Sequence, residues 1–554
     1  MSGTASRKRT RKTAPSAPRT GSPPIAARSL RFSWILLVLI VVFAGVVRLR
    51  LLQIPLERDE GEYAYAGQLL LQGIPPYKLV WNMKVPGTYG AYAAIMALFG
   101  QSIGGIHLGF LLVNAATIVL IFFLGRRLFN ASAGVAAGAA YALLSVSAGV
   151  MGTQAHATHF VAIAAVGGML ALLRGVDPGR WLPLFLAGAL FGLATLMKQH
   201  GVLFVVFAAA YLMWSSWPRK AAAWGPLLRK LAWLFAGVCL PLAATGFALW
   251  RAGVFDRFWF WTFTYARQYA LENSIPDGLA AFADTFPRVV GPNLLIWLVA
   301  ALGLAVVWRR KEHRAAAVFV AGLLAFSVLA ICPGFYFREH YFVLLLPPVA
   351  LLAGAAAGLD GTWRRWGFAA VLAFSILLQG DFLFRMSPLE ASRFMYGDSP
   401  FPQAVPVADY IRAHSSPASR IAVLGSEPEV PFYARRRSAT GYIYMYALME
   451  PQPYALGMQN ELIRDVETSR PEYVVWLNIA TSWLRRADSP SRVFDWWESY
   501  RPRHYALAGV AEILSNGRTE YHWDVDDSWQ PQSPNLIAVY KRIGSASRNR
   551  AAAQ

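Results

Sequence analysis

Residues 33–52 read SWILLVLIVVFAGVVRLRLL, and this apolar run decides the class of fold. About 20 apolar residues suffice for a helix to cross the roughly 30 Å of hydrocarbon in a bilayer. The run resembles the apolar part of a signal peptide, but it is too long, contains Arg48 and Arg50, and has no small-residue cleavage site behind it. We therefore predict that it is retained as a first membrane helix.

The composition of the whole chain is that of a membrane protein. Of its 554 residues 56% are hydrophobic, and the mean hydropathy of +0.37 excludes an ordinary soluble enzyme. Together with residues 33–52, further apolar runs predict about eleven membrane spans. These further runs lie at 104–125, 132–151, 159–173, 181–197, 200–217, 231–250, 292–308, 315–332, 341–357 and 367–384.

Basic residues mark every second connection between these runs, and short loops rich in Lys and Arg stay in the cytoplasm. The N-terminus is therefore predicted to be cytoplasmic, residues 53–103 form the first external loop, and the chain ends outside. We expect a multi-pass protein of the bacterial inner membrane. The basic connections contain Arg126 and Arg127, Arg174 and Arg180, Arg219, Lys220, Arg229 and Lys230, Arg309, Arg310, Lys311 and Arg314, and Arg364 and Arg365.

The predicted fold class is a polytopic α-helical membrane protein with a C-terminal soluble α/β domain on the external face. In that domain helical patterns at 403–414 and 455–469 alternate with short strand-like runs. The strand-like runs are Ile421–Leu424, Tyr473–Leu477 and Leu536–Tyr540. The predicted domains are a disordered basic cytoplasmic tail at 1–31, a transmembrane domain at 32–384, the external (periplasmic) α/β domain at 385–545 and a disordered tail at 546–554.

The net charge of +21 raises the question of what the cations bind. Most of them lie in the N-terminal tail and the predicted cytoplasmic loops, where anionic lipid head groups account for them. We therefore expect membrane lipids as partners and no nucleic acid.

The first external loop begins with Arg58-Asp59-Glu60-Gly61-Glu62-Tyr63, which places three carboxylates at the outer membrane face. Helical stretches at 59–72 and 88–99 are too short to span and are predicted to lie on the bilayer. Their tyrosines would then sit at head-group depth. Asp59-x-x-Glu62 also has the spacing of a capping box, so one interpretation of Asp59 is that it only caps this helix.

Three segments at predicted external ends together resemble the GT-C membrane glycosyltransferases. The bacterial branch related to protein O-mannosyltransferases, lipid A aminoarabinose transferases and rhizobial galacturonosyltransferases is the most similar. The segments are Asp59-Glu60-Gly61-x-Tyr63 with Gly73-x-Pro75-x-Tyr77 and Lys84-x-Pro86, then Leu196-Met197-Lys198-Gln199-His200, then Arg338-Glu339-His340-Tyr341-Phe342 with Leu346-Pro347-Pro348.

The resemblance implies that a sugar moves, with inversion, from a polyprenyl-phosphate carrier to a glycan, glycolipid or protein acceptor on the external face. Asp59 is the candidate base for the acceptor hydroxyl, with Glu60 as a second candidate catalytic carboxylate. Glu62 is interpreted as helix support. The candidate ligands of the donor phosphate are Lys84, Lys198, Arg338, His340 and Arg267, and the candidate sugar or acceptor contacts are Tyr63, Gln154, His156, His159 and Tyr341.

Several alternatives stay open at this stage. Lys84 and Lys198 could serve only to anchor the chain at the lipid interface. No cofactor is certain; a divalent cation on Asp59 or Glu60 is open, and zinc on His156 and His159 is a weak hypothesis because a third ligand is lacking. A secondary transporter or lipid flippase is the alternative function, but it predicts charges in the middle of spans, whereas here they collect at span ends.

Overall fold

A computed structural model describes residues 25–177, 179–217, 224–359, 361–514 and 517–544. The predicted tail at 546–554 lies outside these residues, as does most of the predicted tail at 1–31. The first helix begins at Ile25, ahead of the apolar run that predicted it.

The described residues from 25 to 378 are mainly helical, and each of the predicted apolar runs contains a helix. They are α1 (Ile25–Arg50), α2 (Arg58–Leu71), α3 (Gly87–Phe99), α4 (Ile103–Leu128), α5 (Ala131–Leu144), α6 (Ala157–Gly175), α7 (Trp181–Met197), α8 (Val202–Ser215), α9 (Trp224–Arg251), α10 (Phe255–Trp259), α11 (Ala266–Ala270), α12 (Ile275–Val290), α13 (Leu294–Arg309), α14 (Arg314–Ile331), α15 (Leu346–Gly358) and α16 (Thr362–Leu378).

Seven helical segments within the described residues are long and apolar enough to cross a membrane, so the protein is a multi-pass membrane protein. They are Arg31–Arg50, Ile103–Leu128, Ala157–Gly175, Trp224–Arg251, Ile275–Arg309, Lys311–Ile331 and Glu339–Gly358. Three further predicted spans correspond to the shorter apolar helices α5, α7 and α8, and the last corresponds to α16. The count of eleven spans stays a prediction.

Small residues let the central membrane helices approach closely. Helix α15 is buried along its whole length and packs on α5. A Cβ atom added at Gly354 would lie 2.5 Å from the Ala133 carbonyl oxygen, and one at Gly358 would lie 2.3 Å from the Ala133 nitrogen. Such glycine contacts allow close backbone packing where lipid supplies no hydrophobic drive.

Arg50, the last residue of α1, joins the two ends of the membrane half. Its guanidinium donates to the Leu383 carbonyl at 2.8 Å and also to the carbonyls of Phe382 and Met386. These carbonyls belong to the turn that follows α16. One side chain thereby satisfies backbone acceptors that a helix end would otherwise leave free.

The helices predicted in the first external loop are confirmed as α2 and α3, but their tyrosines are not at the surface. Tyr63, Tyr65, Tyr89 and Tyr92 are all buried. Tyr63 packs edge-on against Tyr92, with ring centroids 5.4 Å apart. The prediction of rings at head-group depth is wrong because α2 and α3 pack on each other and the C-terminal part of the chain covers α2.

The C-terminal part contains the predicted α/β unit. Its helices are α17 (Pro388–Tyr396), α18 (Phe401–Ala413), α19 (Glu429–Ala434), α20 (Tyr446–Met449), α21 (Ala455–Ser469), α22 (Ala480–Trp483) and α23 (Arg492–His504), and its strands are β1 (Arg420–Leu424), β2 (Arg437–Ser438), β3 (Tyr473–Asn478), β4 (Tyr505–Ile513), β5 (Thr519–Trp523) and β6 (Leu536–Arg542).

The six strands form one mixed sheet in the order β2-β1-β3-β6-β4-β5. Strand β1 pairs in parallel with β2 and β3, whereas β6 lies antiparallel between β3 and β4. The three strands predicted from sequence, β1, β3 and β6, are neighbours in the sheet, with Val475 opposite Val539 in the β3–β6 register. Their buried aliphatic side chains explain why the strand pattern was visible in the sequence.

Helix α19 docks the sheet unit onto α2. A Cβ atom at Gly61 would lie 2.7 Å from the Glu429 nitrogen, so only glycine fits this contact. Beside it, the Arg58 guanidinium donates to Glu427 Oε1 at 2.8 Å and to the Ser426 carbonyl at 2.5 Å. The loop 425–429 therefore holds α2 in place.

Candidate active site

The capping of α2 leaves the Asp59 carboxylate free. The capping box is formed by Glu57 and Glu60: Glu57 Oε1 accepts from the Glu60 nitrogen at 3.0 Å, and the Glu60 side chain accepts from the Glu57 nitrogen. The interpretation of Asp59 and Glu62 as the capping pair is thus wrong by two residues. Sequence reasoning missed Glu57 because Asp, Asn, Ser and Thr are the preferred caps.

Lys84 lies between two carboxylates of α2. Its Nζ is 2.6 Å from Asp59 Oδ1 and 2.7 Å from Glu62 Oε2. Glu62 also accepts hydrogen bonds from Asn82 at 2.8 Å and from the Tyr89 hydroxyl. Asp59 is partly open to the cavity, whereas Glu62 is fully buried beneath it.

These surroundings move the two carboxyl pKa values in opposite directions. Burial by itself would raise the pKa of Asp59, but Lys84, His340 and His156 together hold it well below the usual range. Burial raises the pKa of Glu62, against the opposing effect of Lys84. Asp59 is therefore ionised at neutral pH. A separation of this kind is how paired carboxylates take different roles in one site.

Two further cations face Asp59 from other elements. Lys198 caps the C-terminus of α7, and its Nζ lies 3.9 Å from the centre of the Tyr341 ring. Among the described residues no carboxylate forms an ion pair with Lys198, and burial lowers the pKa of this lysine to about 7. Arg338, just before the turn that leads into α15, is exposed to the same space.

His340 and His156 form a stacked pair beside Asp59, with ring centroids 4.3 Å apart and planes 13° from parallel. His340 Nε2 lies 3.9 Å from Asp59 Oδ2. One ligand atom from each of these three residues lies within 4.8 Å of the others, so they could hold a divalent cation. His159 and Glu60, considered as metal ligands from sequence, are not in this group.

One cavity of about 350 Å³ unites the site. Seven of the residues singled out from sequence line it: Asp59, Tyr63, Lys84, Lys198, Arg338, His340 and Tyr341. They come from α2, the loops after α2 and α7, and the segment before α15. The alternation of charges along the chain had placed all of these segments at the same membrane face.

The other candidate residues do not line this cavity. Glu60 is fully buried and accepts from the Ala155 nitrogen at 2.6 Å, with His107 Nε2 at 3.1 Å. Gln154 and His159 are buried behind the cavity wall, and Arg267 lies on the exposed side of α11. His156 stacks on His340, which does line the cavity.

Sequence reasoning missed the wall that the C-terminal part provides. Tyr444, Tyr446 and Glu450 line the cavity. The Tyr444 hydroxyl donates to Asp59 Oδ1 at 3.0 Å. The only signal in the sequence is the alternation of tyrosines in Tyr442-Ile443-Tyr444-Met445-Tyr446, which equally resembles an ordinary strand.

The aromatic loop after α9 forms a further wall. Trp261, Tyr265 and Tyr269 line the cavity. The Tyr265 hydroxyl donates to Glu450 Oε2 at 2.5 Å. Burial raises the pKa of Glu450 to about 7, so this carboxyl is partly protonated at neutral pH.

Comparisons with known proteins bear on this architecture. A family model described as dolichyl-phosphate-mannose-protein mannosyltransferase matches residues 86–250. The apo structure of ArnT from Cupriavidus metallidurans superposes with a TM-score of 0.57 at 17% identity, covering 92% of this chain and 98% of that one. The chain has the GT-C fold.

Two other proteins are similar to this chain. ArnT from the same organism bound to undecaprenyl phosphate superposes with a TM-score of 0.54 at 16% identity, over 90% of this chain and 99% of that one. An undecaprenyl phosphate-alpha-4-amino-4-deoxy-L-arabinose arabinosyl transferase from Pseudomonas paraeruginosa (strain DSM 24068 / PA7) is 29% identical over 228 residues. That match spans 39% of this GT-C chain and 40% of the relative.

Proposed function

We propose that the protein is an integral membrane glycosyltransferase that moves a sugar from a polyprenyl-phosphate carrier to an acceptor at the external face, with inversion. The observation that carries the proposal is the convergence of an ionised carboxylate, Asp59, with Lys84, Lys198 and Arg338 on one cavity. An anionic leaving group needs such cations, and an attacking hydroxyl needs such a base.

In the proposed reaction the acceptor oxygen attacks the anomeric carbon of the donor sugar. Asp59 Oδ2 takes the hydroxyl proton as the new bond forms, by analogy with inverting glycoside chemistry. The bond from the anomeric carbon to the phosphate oxygen breaks, and its electron pair leaves with the lipid phosphate. The low pKa of Asp59 keeps the base ionised until the proton is transferred.

Lys198 and Arg338 are the cations best suited to the phosphate. Lys84 already forms ion pairs with two carboxylates, Asp59 and Glu62. Lys198 lies over the ring of Tyr341 and forms no ion pair with a carboxylate of the described residues. A phosphate oxygen near Lys198 would supply the negative charge that this buried ammonium lacks. Lys84 is then the link between phosphate and base.

The apolar wall of the cavity suits a lipid carrier. Val202 and Leu203, at the start of α8, line the cavity, and Val202 is also exposed on the outer surface of the helix bundle. An isoprenoid chain could therefore run from the phosphate site along α8 into the bilayer. The part of the cavity lined by Tyr444, Tyr446 and Glu450 is then left for a glycan, glycolipid or protein acceptor.

The test uses purified full-length protein with a panel of polyprenyl-phosphate sugars and measures release of the lipid phosphate. The panel includes undecaprenyl-phosphate 4-amino-4-deoxy-L-arabinose, because the matched Pseudomonas protein carries that name. We expect release with at least one donor. No release across the panel, or lipid translocation without transfer, would replace the proposal with the flippase alternative.

A further inference from the structure

The segment that joins β2 to α20 contains Tyr444, whose hydroxyl contacts the proposed base, Asp59. The Tyr444 hydroxyl lies 3.0 Å from Asp59 Oδ1 and 3.4 Å from Lys84 Nζ. Its ring also lies beneath the Lys84 ammonium, with 5.1 Å from Nζ to the ring centre. Tyr444 and Asp59 are 385 positions apart in the chain.

We infer that Tyr444 is a positioning residue for the reaction: its hydroxyl holds Asp59 Oδ1, so that Oδ2 alone receives the acceptor proton. This inference rests on the proposed function of Asp59 as the base. The C-terminal part would then contribute a side chain, Tyr444, that contacts the base.

The two oxygens of Asp59 have different surroundings. Oδ1 accepts from Lys84 at 2.6 Å and from Tyr444 at 3.0 Å, so both of its donors are at hydrogen-bond distance. Oδ2 has His340 Nε2 at 3.9 Å, which is too far for a hydrogen bond. The carboxylate is therefore anchored on one side and open on the other.

Tyr444 and Lys84 differ in what a donor phosphate would do to them. The ammonium of Lys84 can turn toward a phosphate, because it donates in several directions. The phenol of Tyr444 has one proton, and burial with the charges of Asp59 and Glu62 raises its pKa well above the usual value. Tyr444 thus stays a donor to Asp59 at every working pH.

The segment that carries Tyr444 is itself fixed. The Met445 nitrogen donates to Ser426 Oγ at 2.9 Å, and the Gly441 carbonyl accepts from the Trp81 nitrogen at 2.8 Å. Tyr446 packs on the Tyr444 ring with centroids 5.7 Å apart. These contacts hold the hydroxyl at a set place relative to α2.

The test is the Tyr444→Phe variant of the full-length protein, assayed for transfer across pH. A hydrogen bond to a charged group favours the ionised carboxylate, so its loss raises the pKa of Asp59. We expect kcat to fall about tenfold and the acid limb of the kcat profile to move up by about one pH unit. The donor KM should stay within about twofold of wild type, since the phosphate ligands remain.

Tyr505→Phe is the matched control, because Tyr505 is also buried in the C-terminal part but donates to the Pro471 carbonyl, far from Asp59 in the fold. It should keep the wild-type pH profile. A Tyr444→Phe profile equal to wild type would overturn the inference while wild-type transfer still supports the proposed function. Absence of transfer by wild type would instead refute the proposed function.

A second variant covers the case in which Tyr444→Phe does not fold. Incorporation of 3-fluorotyrosine at position 444 keeps the ring and hydroxyl but makes the phenol a stronger donor. The acid limb should then move to lower pH, opposite to the shift with phenylalanine. An unchanged limb with this residue would also overturn the inference.

Discussion

Lys84 is the residue on which the charge balance of the site depends. It binds a buried carboxylate, Glu62, and an accessible one, Asp59, at nearly equal distances. A buried ammonium between two carboxylates is retained in its charged form, and the pKa of Lys84 is raised accordingly despite its burial. The ion pair with Lys84 keeps Asp59 ionised and balances its negative charge.

Asp59→Asn is the first prediction at this scale. The amide keeps the shape of the side chain but cannot accept the hydroxyl proton, so we expect transfer to fall by about 10²–10⁴-fold. Binding of the leaving lipid phosphate, measured by titration with undecaprenyl phosphate, should change much less. Asp409→Asn, on the exposed face of α18, is the matched control, and transfer by Asp59→Asn at the wild-type rate would refute the role of the base.

The second prediction concerns the pH dependence of donor capture. Since the pKa of Lys198 is lowered to about 7, its charge is present below pH 7 and is lost as the pH rises. We expect kcat/KM for the donor to fall about fivefold between pH 7 and pH 8, because this ratio reports the free enzyme.

Lys198→Arg tests the cause of that fall. The guanidinium stays charged throughout this range, so the variant should show a flat profile from pH 7 to pH 8. Parallel falls in wild type and Lys198→Arg would show that another group titrates.

At the scale of elements, α2 is held between the membrane helices and the sheet unit. It carries Asp59 at its partly exposed start, while its middle residues are buried and contact α3 and α19. A helix of this length is only marginally stable alone, so its position depends on these contacts.

Gly61→Ala is the prediction for this element. The added methyl group would meet the Glu429 backbone, which cannot move aside easily, so we expect a loss of about 1–3 kcal/mol of stability. Thermal unfolding in detergent measures it. Gly90→Ala is the control, since a Cβ there meets nothing within 4 Å and should be neutral or stabilising. Equal melting temperatures for both variants would contradict the close contact.

The helices were predictable from sequence where a single local cause produces them. Long apolar runs gave the membrane helices, and β1, β3 and β6 were visible as buried aliphatic runs. Strands β2, β4 and β5 were not predicted. The residues of β5, Thr519–Trp523, are half-exposed and contain no buried aliphatic run. The capping of α2 by Glu57 is local but was missed because Glu is not a preferred N-cap. The burial of Tyr89 depends on residues distant in sequence, which no local pattern contains.

At the scale of the whole molecule, the ion pair of Arg58 with Glu427 joins the membrane half to the sheet unit. Both side chains are largely buried, with exposed fractions of 13% and 0%. Breaking a buried pair by removing one partner leaves an uncompensated charge. The pair therefore couples the stability of the two halves.

We expect Glu427→Gln and Arg58→Met each to destabilise the protein by about 3–5 kcal/mol. The double variant should lose less than the sum of the two, because neither charge is then left alone. Unfolding by denaturant in detergent measures the three variants. Strict additivity would show that the two side chains do not interact in the membrane-embedded protein.

The orientation in the membrane is a separate prediction. In a Cys239→Ser/Cys332→Ser background, Ala418→Cys before β1 should react with an impermeant maleimide in intact spheroplasts. Glu312→Cys, between α13 and α14, should react only after permeabilisation. Both positions are exposed in the structure. The reverse pattern would place the sheet unit in the cytoplasm.

Seven residues of the site, among them Asp59 and Lys84, were predictable because they lie in segments predicted at the same membrane face. The remainder was not, since Tyr444 and Glu450 reach the cavity only through the docking of the sheet unit on α2. No local pattern in the sequence encodes that docking. The docking depends on shape, as the contact between Gly61 and Glu429 shows.

The hydrogen bonds of Arg50 can form only late in the synthesis of the chain. The Met386 carbonyl that receives its guanidinium lies 336 residues further along the chain. At ordinary rates of translation that interval is about 20–70 s. During this interval α1 has been made, but the carbonyls that later accept from Arg50 have not. The contact between α1 and the segment after α16 therefore forms only after that segment has been made.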